Sequence, residues 1–231
     1  LNGDATIGNG RLMMDMTVGE THTLTLGGYL QGPGNISLEE GSTLDLSGHT
    51  LSKDVVLTGN AYINTGILDG NVTVGQEGKL TLNGSLIFGN GTVSLADKAT
   101  LNLNEKIFAL AVTVSGNATI GNGTLHGNIL TVEEGSTLTL GARNVETSGN
   151  HALKMGDKAA VNLGGNILSG SVSLDGDASI GNGTLNADVS VGEGHKLTLC
   201  DGNLGGSYVI SLAELSQLDL GGHTLSKNVE L

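Results

Sequence analysis

The stretch NVTVGQEGKLTLNGSL, from Asn71 to Leu86, places an apolar pair at Val72 and Val74, a second at Leu80 and Leu82, and a further apolar residue at Leu86. Alternation at period two gives a strand one buried and one exposed face. No helical periodicity runs through it, and the gap between the pairs is too short for a helical crossover. The stretch reads as short strands joined by corners, with an apolar side that it cannot bury alone.

The same unit returns along the whole chain. Ile36 and Leu38, Leu44 and Leu46, then Leu51 form another copy. Boundaries fall near Asp15, Asn35, Asp54, Asn71, Thr92, Ala111, Ile129, Ala152, Ser171, Asp188, Val209 and Asn228, giving eleven complete units of 17 to 23 residues. Three units make a larger module. Its marker is GNATIGNGTLHG, Gly116 to Gly127, with related phrases starting at Gly3, Gly59 and Gly176, at spacings of 56, 57 and 60 residues. Module copies lie near 1–53, 54–110, 111–170 and 171–227 of one continuous repeat over 1–231. Both ends fall in mid-coil, so the chain is expected to be a slice of a longer rod that continues, end to end, with further coils.

Stacking is the arrangement that buries every unit at once. The expected fold is therefore all-β: a right-handed parallel β-helix, or β-solenoid, of about twelve coils of 17–23 residues grouped in three-coil modules of about 57–60. Right-handed crossovers are the rule for parallel strands. At about 4.8 Å per coil the rod would be on the order of 55–60 Å long.

Composition narrows the function classes. Of 231 residues, 39 are Gly and 38% are hydrophobic, yet there is no Trp, with three Tyr and two Phe. An enzyme of this size normally draws on more aromatic surface for its core and pocket. The net charge of -13 argues against nucleic acid or anionic membrane surfaces as partners. No apolar run approaches the length of a membrane span, so no direct membrane insertion is expected. Cys200 is the single cysteine, which rules out an internal disulfide framework.

The Gly-Asn phrases resemble phosphate loops only superficially, because that fingerprint needs a helix after the glycines. Gly121, Asn122 and Gly123 are instead expected to turn a corner before Leu125, as are Ser47-Gly48-His49, Gly164-Gly165-Asn166, Gly181-Asn182-Gly183 and Gly221-Gly222-His223. Glycine accepts positive φ freely and asparagine tolerates it. The six histidines are His22, His49, His126, His151, His195 and His223, and no C-x-x-C or H-x-x-x-H spacing joins them into a metal site. Asp175, Asp177 and Asp201 lack the G-G-x-G-x-D repeat of calcium-binding solenoids. The arginines, Arg11 and Arg143, and the carboxylates form no lyase-like cluster. Cys200 has no predictable base beside it. No catalytic, cofactor-binding or metal-ligating residue is assigned, no cofactor is expected, and the chain is read as non-enzymatic. Seven N-x-[ST] sequons occur, at Asn35, Asn71, Asn83, Asn90, Asn117, Asn122 and Asn182; they matter only in a glycosylating source.

Two outward columns remain. The first reads Thr17, Ser37, Val56, Thr73, Ser94, Thr113, Thr131, Lys154, Ser173, Ser190, Ser211, Glu230, with Ser or Thr at nine of twelve places. The second is Thr6, Thr25, Asp45, Tyr62, Thr81, Asn102, Thr119, Thr139, Asn162, Ser179, Thr198, Asp219, where the third coil of each module gives Asp or Asn. Ice-ordering solenoids want paired T-x-T ranks on every coil, and only Thr23/Thr25 and Thr137/Thr139 qualify. A polar face for glycans or for molecules of a host or neighbouring cell is the functional reading. Ser and Thr are also simply good exposed strand residues.

Coils such as LTVEEGSTLTL, Leu130 to Leu140, with few aromatics, one cysteine and acidic charge, resemble bacterial surface β-helices. They are similar to autotransporter passenger domains and filamentous-adhesin-type proteins. The resemblance spans the whole chain and is one of repeat style, so it carries over no functional residue. It implies secretion and display at the bacterial cell surface, as a stalk, spacer or adhesin segment. The alternative is a carbohydrate-active β-helix, lyase- or hydrolase-like, whose catalytic coils lie outside this segment.

Overall fold

The computed structural model describes residues 1–84, 86–127, 129–141, 145–148, 151–201, 203–205, 208–225 and 228–231. Among them the regular structure is all strand, without a helix, and the strands pair in parallel into one continuous sheet. The chain is a parallel β-solenoid of about eleven turns, consistent with the expected right-handed β-helix. Each coil carries up to three short strands. The opening stretch supplies Val72–Val74, Lys79–Leu82 and Leu86–Phe88. Arg143, and the side chains of Leu86 and His151, lie outside the described residues.

The interior is built from stacked aliphatic columns. Val18, Leu38, Leu57, Val74, Leu95, Val114, Val132, Met155, Leu174 and Val191 pair one above another, and none is more than 3% exposed. Burying each such side chain stabilises by roughly 1.5–3 kcal/mol. No coil can do so without the neighbours that cover it.

Two turn devices bend the chain. Between the first and second strands, eight coils use a four-residue turn. In one, the Ser42 N–H donates to the Glu39 carbonyl at 3.1 Å; in another, Ala159 donates to Gly156 at 3.2 Å. The third residue of each turn (Thr21, Gly41, Glu77, Lys98, Gly135, Lys158, Gly194, Leu215) is left-handed, with φ of 56 to 72°, as in a type II turn. The second residue is acidic in every one but Gln76.

The other device follows the second strand in the third coil of each module. Ser47 and Gly48 have φ of 48 and 78°, Asn104 and Glu105 49 and 63°, Gly164 and Gly165 58 and 83°, and Gly221 and Gly222 56 and 87°. Two successive left-handed residues are the mark of a type I′ turn. His49 donates its N–H to the Leu46 carbonyl at 2.7 Å, Asn166 to Leu163 at 2.9 Å and His223 to Leu220 at 2.9 Å.

The Gly-Asn-Gly phrase divides its labour differently from the sequence reading. Asn122 and Asn182 take the positive φ, 63 and 56°, while the glycines around them do not. The second glycine serves close approach instead. A Cβ on Gly66, Gly123 or Gly183 would overlap the Cβ of Leu46, Leu103 or Leu163 in the coil below. Left-handed backbone falls to Asn because its short polar side chain tolerates it, and the only residue that fits over the leucine is the one without a side chain.

Candidate functional site

The first outward column is straight. Thr17, Ser37, Val56, Thr73, Ser94, Thr113, Thr131, Lys154, Ser173, Ser190, Ser211 and Glu230 are register partners from one coil to the next without a break. All twelve reach solvent. The hydroxyl-bearing members form runs of two, four and three rungs, ending at Val56, Lys154 and Glu230. Neighbouring rungs stand about 4.8 Å apart. Beside Ser173, Ser190 and Ser211, a groove of about 550 Å³ is also lined by Asp175, Gly192 and Ala213.

The second column does not run straight, which corrects the sequence reading. Tyr62 pairs with Thr43 rather than Asp45, Thr119 with Thr100 rather than Asn102, and Ser179 with Ala160 rather than Asn162. At each step from a third coil to the next first coil the register moves by two residues. The face therefore splits into staggered columns: Thr23–Thr43–Tyr62–Thr81–Asn102, then Asn60–Lys79–Thr100–Thr119–Thr139–Asn162, then Asn117–Thr137–Ala160–Ser179–Thr198–Asp219.

Packing gives the reason. A first coil crosses to its second strand on the short links Thr58-Gly59, Ser115-Gly116 or Asp175-Gly176-Asp177, where the other coils spend a four-residue turn. Its second strand thus begins earlier and sets a small residue on a small one: Ala178 on Ala159, with the Thr119 N–H donating to the Ala99 carbonyl and Tyr62 to Ser42. Ser42 is fully buried, and its Oγ donates to the Glu39 carbonyl at 2.7 Å.

The Asp or Asn that closes each staggered column is a turn residue. Asp45 Oδ1 accepts from the Ser47 N–H at 2.9 Å, Asn102 from Asn104 at 3.0 Å, Asn162 from Gly164 at 2.9 Å and Asp219 from Gly221 at 3.1 Å. Each is an Asx turn feeding the type I′ corner.

Many of the acidic residues near the corners also accept main-chain N–H groups. Carboxylates and amides of one coil accept main-chain N–H groups of the coil above: Asp15 from Asn35 (2.8 Å), Asp54 from Asn71 (2.8 Å), Asn71 from Thr92 (3.1 Å) and Asp188 from Val209 (2.9 Å). These are the residues that open the units in the sequence. Across the other corner Asp4 accepts from Thr23 (2.8 Å), Glu40 from Asn60 (2.8 Å), Asp97 from Asn117 (3.0 Å), Asp157 from Asp177 (3.1 Å) and Asp177 from Lys196 (2.8 Å). At corners the ladder of main-chain partners is interrupted, and these side chains supply the missing acceptors.

The electrostatics follow from that role. The N–H and then the side-chain amide of Asn60 hold the Glu40 carboxyl below its ordinary value. Lys158, 3.3 Å away, and then the Asp177 N–H lower Asp157; Lys196, 2.8 Å away, and then the Gly221 N–H lower Asp219. Among the described residues no group of three or more His, Cys, Asp or Glu could hold a metal ion, and no helix is long and apolar enough to cross a membrane.

Cys200 is exposed, at the edge of a groove of about 460 Å³ with Asn162, Ser179, Gly181, Asn182 and Asp201. Several sequon asparagines are already engaged: Asn71 as above, Asn90 donating to Asp69 at 3.0 Å, Asn182 to Asn162 at 3.1 Å, and Asn83 accepting from Asn104 at 3.4 Å. No protein-family model matches the chain, and no curated protein or solved structure shows significant similarity to it.

Proposed function

We propose that the chain is a non-catalytic repeat rod of an extracellular bacterial surface protein, acting as a stalk or spacer that holds a binding region away from the cell. One observation supports this most: many of the carboxylates and amides that could furnish a reaction centre are engaged in holding coils and corners together. Glu40, Asp97, Asp157, Asp15, Asp54 and Asp188 accept main-chain N–H groups, and Asp45, Asn102, Asn162 and Asp219 cap turns. The exposed hydroxyl ladder, in runs of two, four and three rungs, suits an adhesive role toward glycans as the variant of the same reading. The resemblance to autotransporter-type and filamentous-adhesin-type β-helices points the same way.

Two measurements test it. Protease accessibility of the tagged protein on intact cells of its source should place it outside; protection inside the cell would overturn the proposal. On a glycan array a pure spacer binds nothing, whereas binding abolished by Thr113→Lys or Thr131→Lys assigns the adhesive variant. Turnover of acidic polysaccharides would refute both.

A further inference from the structure

Lys53 breaks the rule that the interior is aliphatic. It is 2% exposed, the sole buried charged side chain among the described residues. Its equivalents in the next two modules are Leu110, also buried, and Gly170. Its ammonium reaches down across two coils. It donates to the carbonyls of Leu12 at 3.2 Å, Met14 at 3.4 Å and Gly32 at 3.4 Å, and to that of Pro33. Burial pushes its pKa below the ordinary value, with Asp15 acting in the opposite sense. Four carbonyl dipoles aimed at one point form a cage that stabilises positive charge, and an ammonium offers three N–H donors to meet them.

We propose that the corner formed by Leu12, Met14, Gly32 and Pro33 is a cation-binding cage of primary-ammonium chemistry, occupied in this chain by its own tethered Lys53. The lysine works as an internal staple. It ties the Gly32-Pro33-Gly34 bend, where Gly32 and Gly34 have φ of 119 and 85°, to the Leu12–Met14 segment beneath. Proline removes a main-chain donor at this bend, the strand register shifts between Gln31 and Asn35, and the Gly32 and Pro33 carbonyls accept from Lys53.

The claim is about the ammonium and not the aliphatic stem, so chemical rescue separates the two. Lys53→Ala keeps Cβ and leaves a void the shape of n-propylammonium. Thermal unfolding of this variant is followed by circular dichroism in n-propylammonium chloride, with propyltrimethylammonium chloride and sodium chloride as controls at equal ionic strength. We expect the variant to unfold about 5 °C or more below the parent protein. The primary ammonium salt should recover much of that loss, neither control should, and the parent should not respond. Recovery no larger than in the controls overturns the cage. Lys53→Met preserves the stem and serves if the alanine variant does not fold. It should also unfold below the parent, and a Met variant as stable as the parent overturns the proposal.

Discussion

Thr119 lies beside Thr100 on the coil below it, and not beside Asn102. Asn102 faces Gly121 instead, and its side chain is turned into the local backbone, accepting from the Asn104 N–H at 3.0 Å. The two-residue displacement recurs at Tyr62 and Ser179. It leaves the first face straight while the second is sheared once per module.

Cross-linking reads this register directly. In a Cys200→Ser background, Thr100→Cys with Thr119→Cys should form a disulfide under mild oxidation. Adjacent parallel strands stand about 4.8 Å apart, within the roughly 4.4–6.8 Å that a disulfide accepts. Asn102→Cys with Thr119→Cys is diagonal and should stay reduced. The opposite pattern on a non-reducing gel would restore the straight column.

Glycines of one phrase should differ sharply in tolerance. An alanine methyl at Gly123 would collide with Leu103 Cβ and come 2.7 Å from the Lys106 carbonyl oxygen, whereas at Gly121 it would meet nothing within 4 Å. Gly123→Ala should destabilise by about 1–3 kcal/mol, and Gly121→Ala by no more than about 0.5 kcal/mol. Denaturant midpoints of the two variants decide it; equal values would remove the close-approach account.

The Asx corner should accept either of its natural residues. Asn162→Ala loses the bond from Gly164 (2.9 Å) and that from the Asn182 amide (3.1 Å), at a cost of about 1–2 kcal/mol. Asn162→Asp should stay within about 0.5 kcal/mol of the parent, because Asp45 and Asp219 occupy the same place in other modules. Equilibrium unfolding in urea provides the comparison.

Acid should weaken the rod through its corner carboxylates. Glu40, Asp157 and Asp219 are held below ordinary values of 4.5, 3.8 and 3.8. A lowered folded-state pKa adds stability that is present above the unfolded value and lost as pH falls through the folded one. The midpoint of thermal unfolding should therefore be flat at neutral pH and fall as pH drops below about 4.5. Glu40→Gln combined with Asp157→Asn should lower the plateau and soften that decline. An unchanged acid slope in the double variant would show that these carboxylates do not control it.

The coils and the first face were legible because both rest on large aliphatic residues at period two. Val72, Val74, Leu80 and Leu82 announce their strands, and every rung from Thr17 to Glu230 lies where the spacing put it. The second face was misread because its register is set by residues too small to count as core. Ser42, Ala99 and Ala159 are buried beneath the next coil, and aligning leucine on leucine passes over them. A small residue two places before the first leucine was the available signal. The main-chain role of Asp15, Glu40 and Asp157 and the buried place of Lys53 carry no local pattern. They depend on which N–H or carbonyl a corner leaves unmatched, and that is settled only when coils meet.

The displacement at Thr119 gives the rod two graduations. Along the hydroxyl face the pattern advances by a single coil, while the adjoining face returns to the same arrangement only after three. A molecule that gripped the hydroxyl face alone could step from rung to rung within a run of Ser and Thr, as from Thr73 to Thr131, but one that wrapped the edge between both would find a matching position only once per module, near every 57 to 60 residues. Wrapping the edge would convert a uniform track into a series of discrete stations.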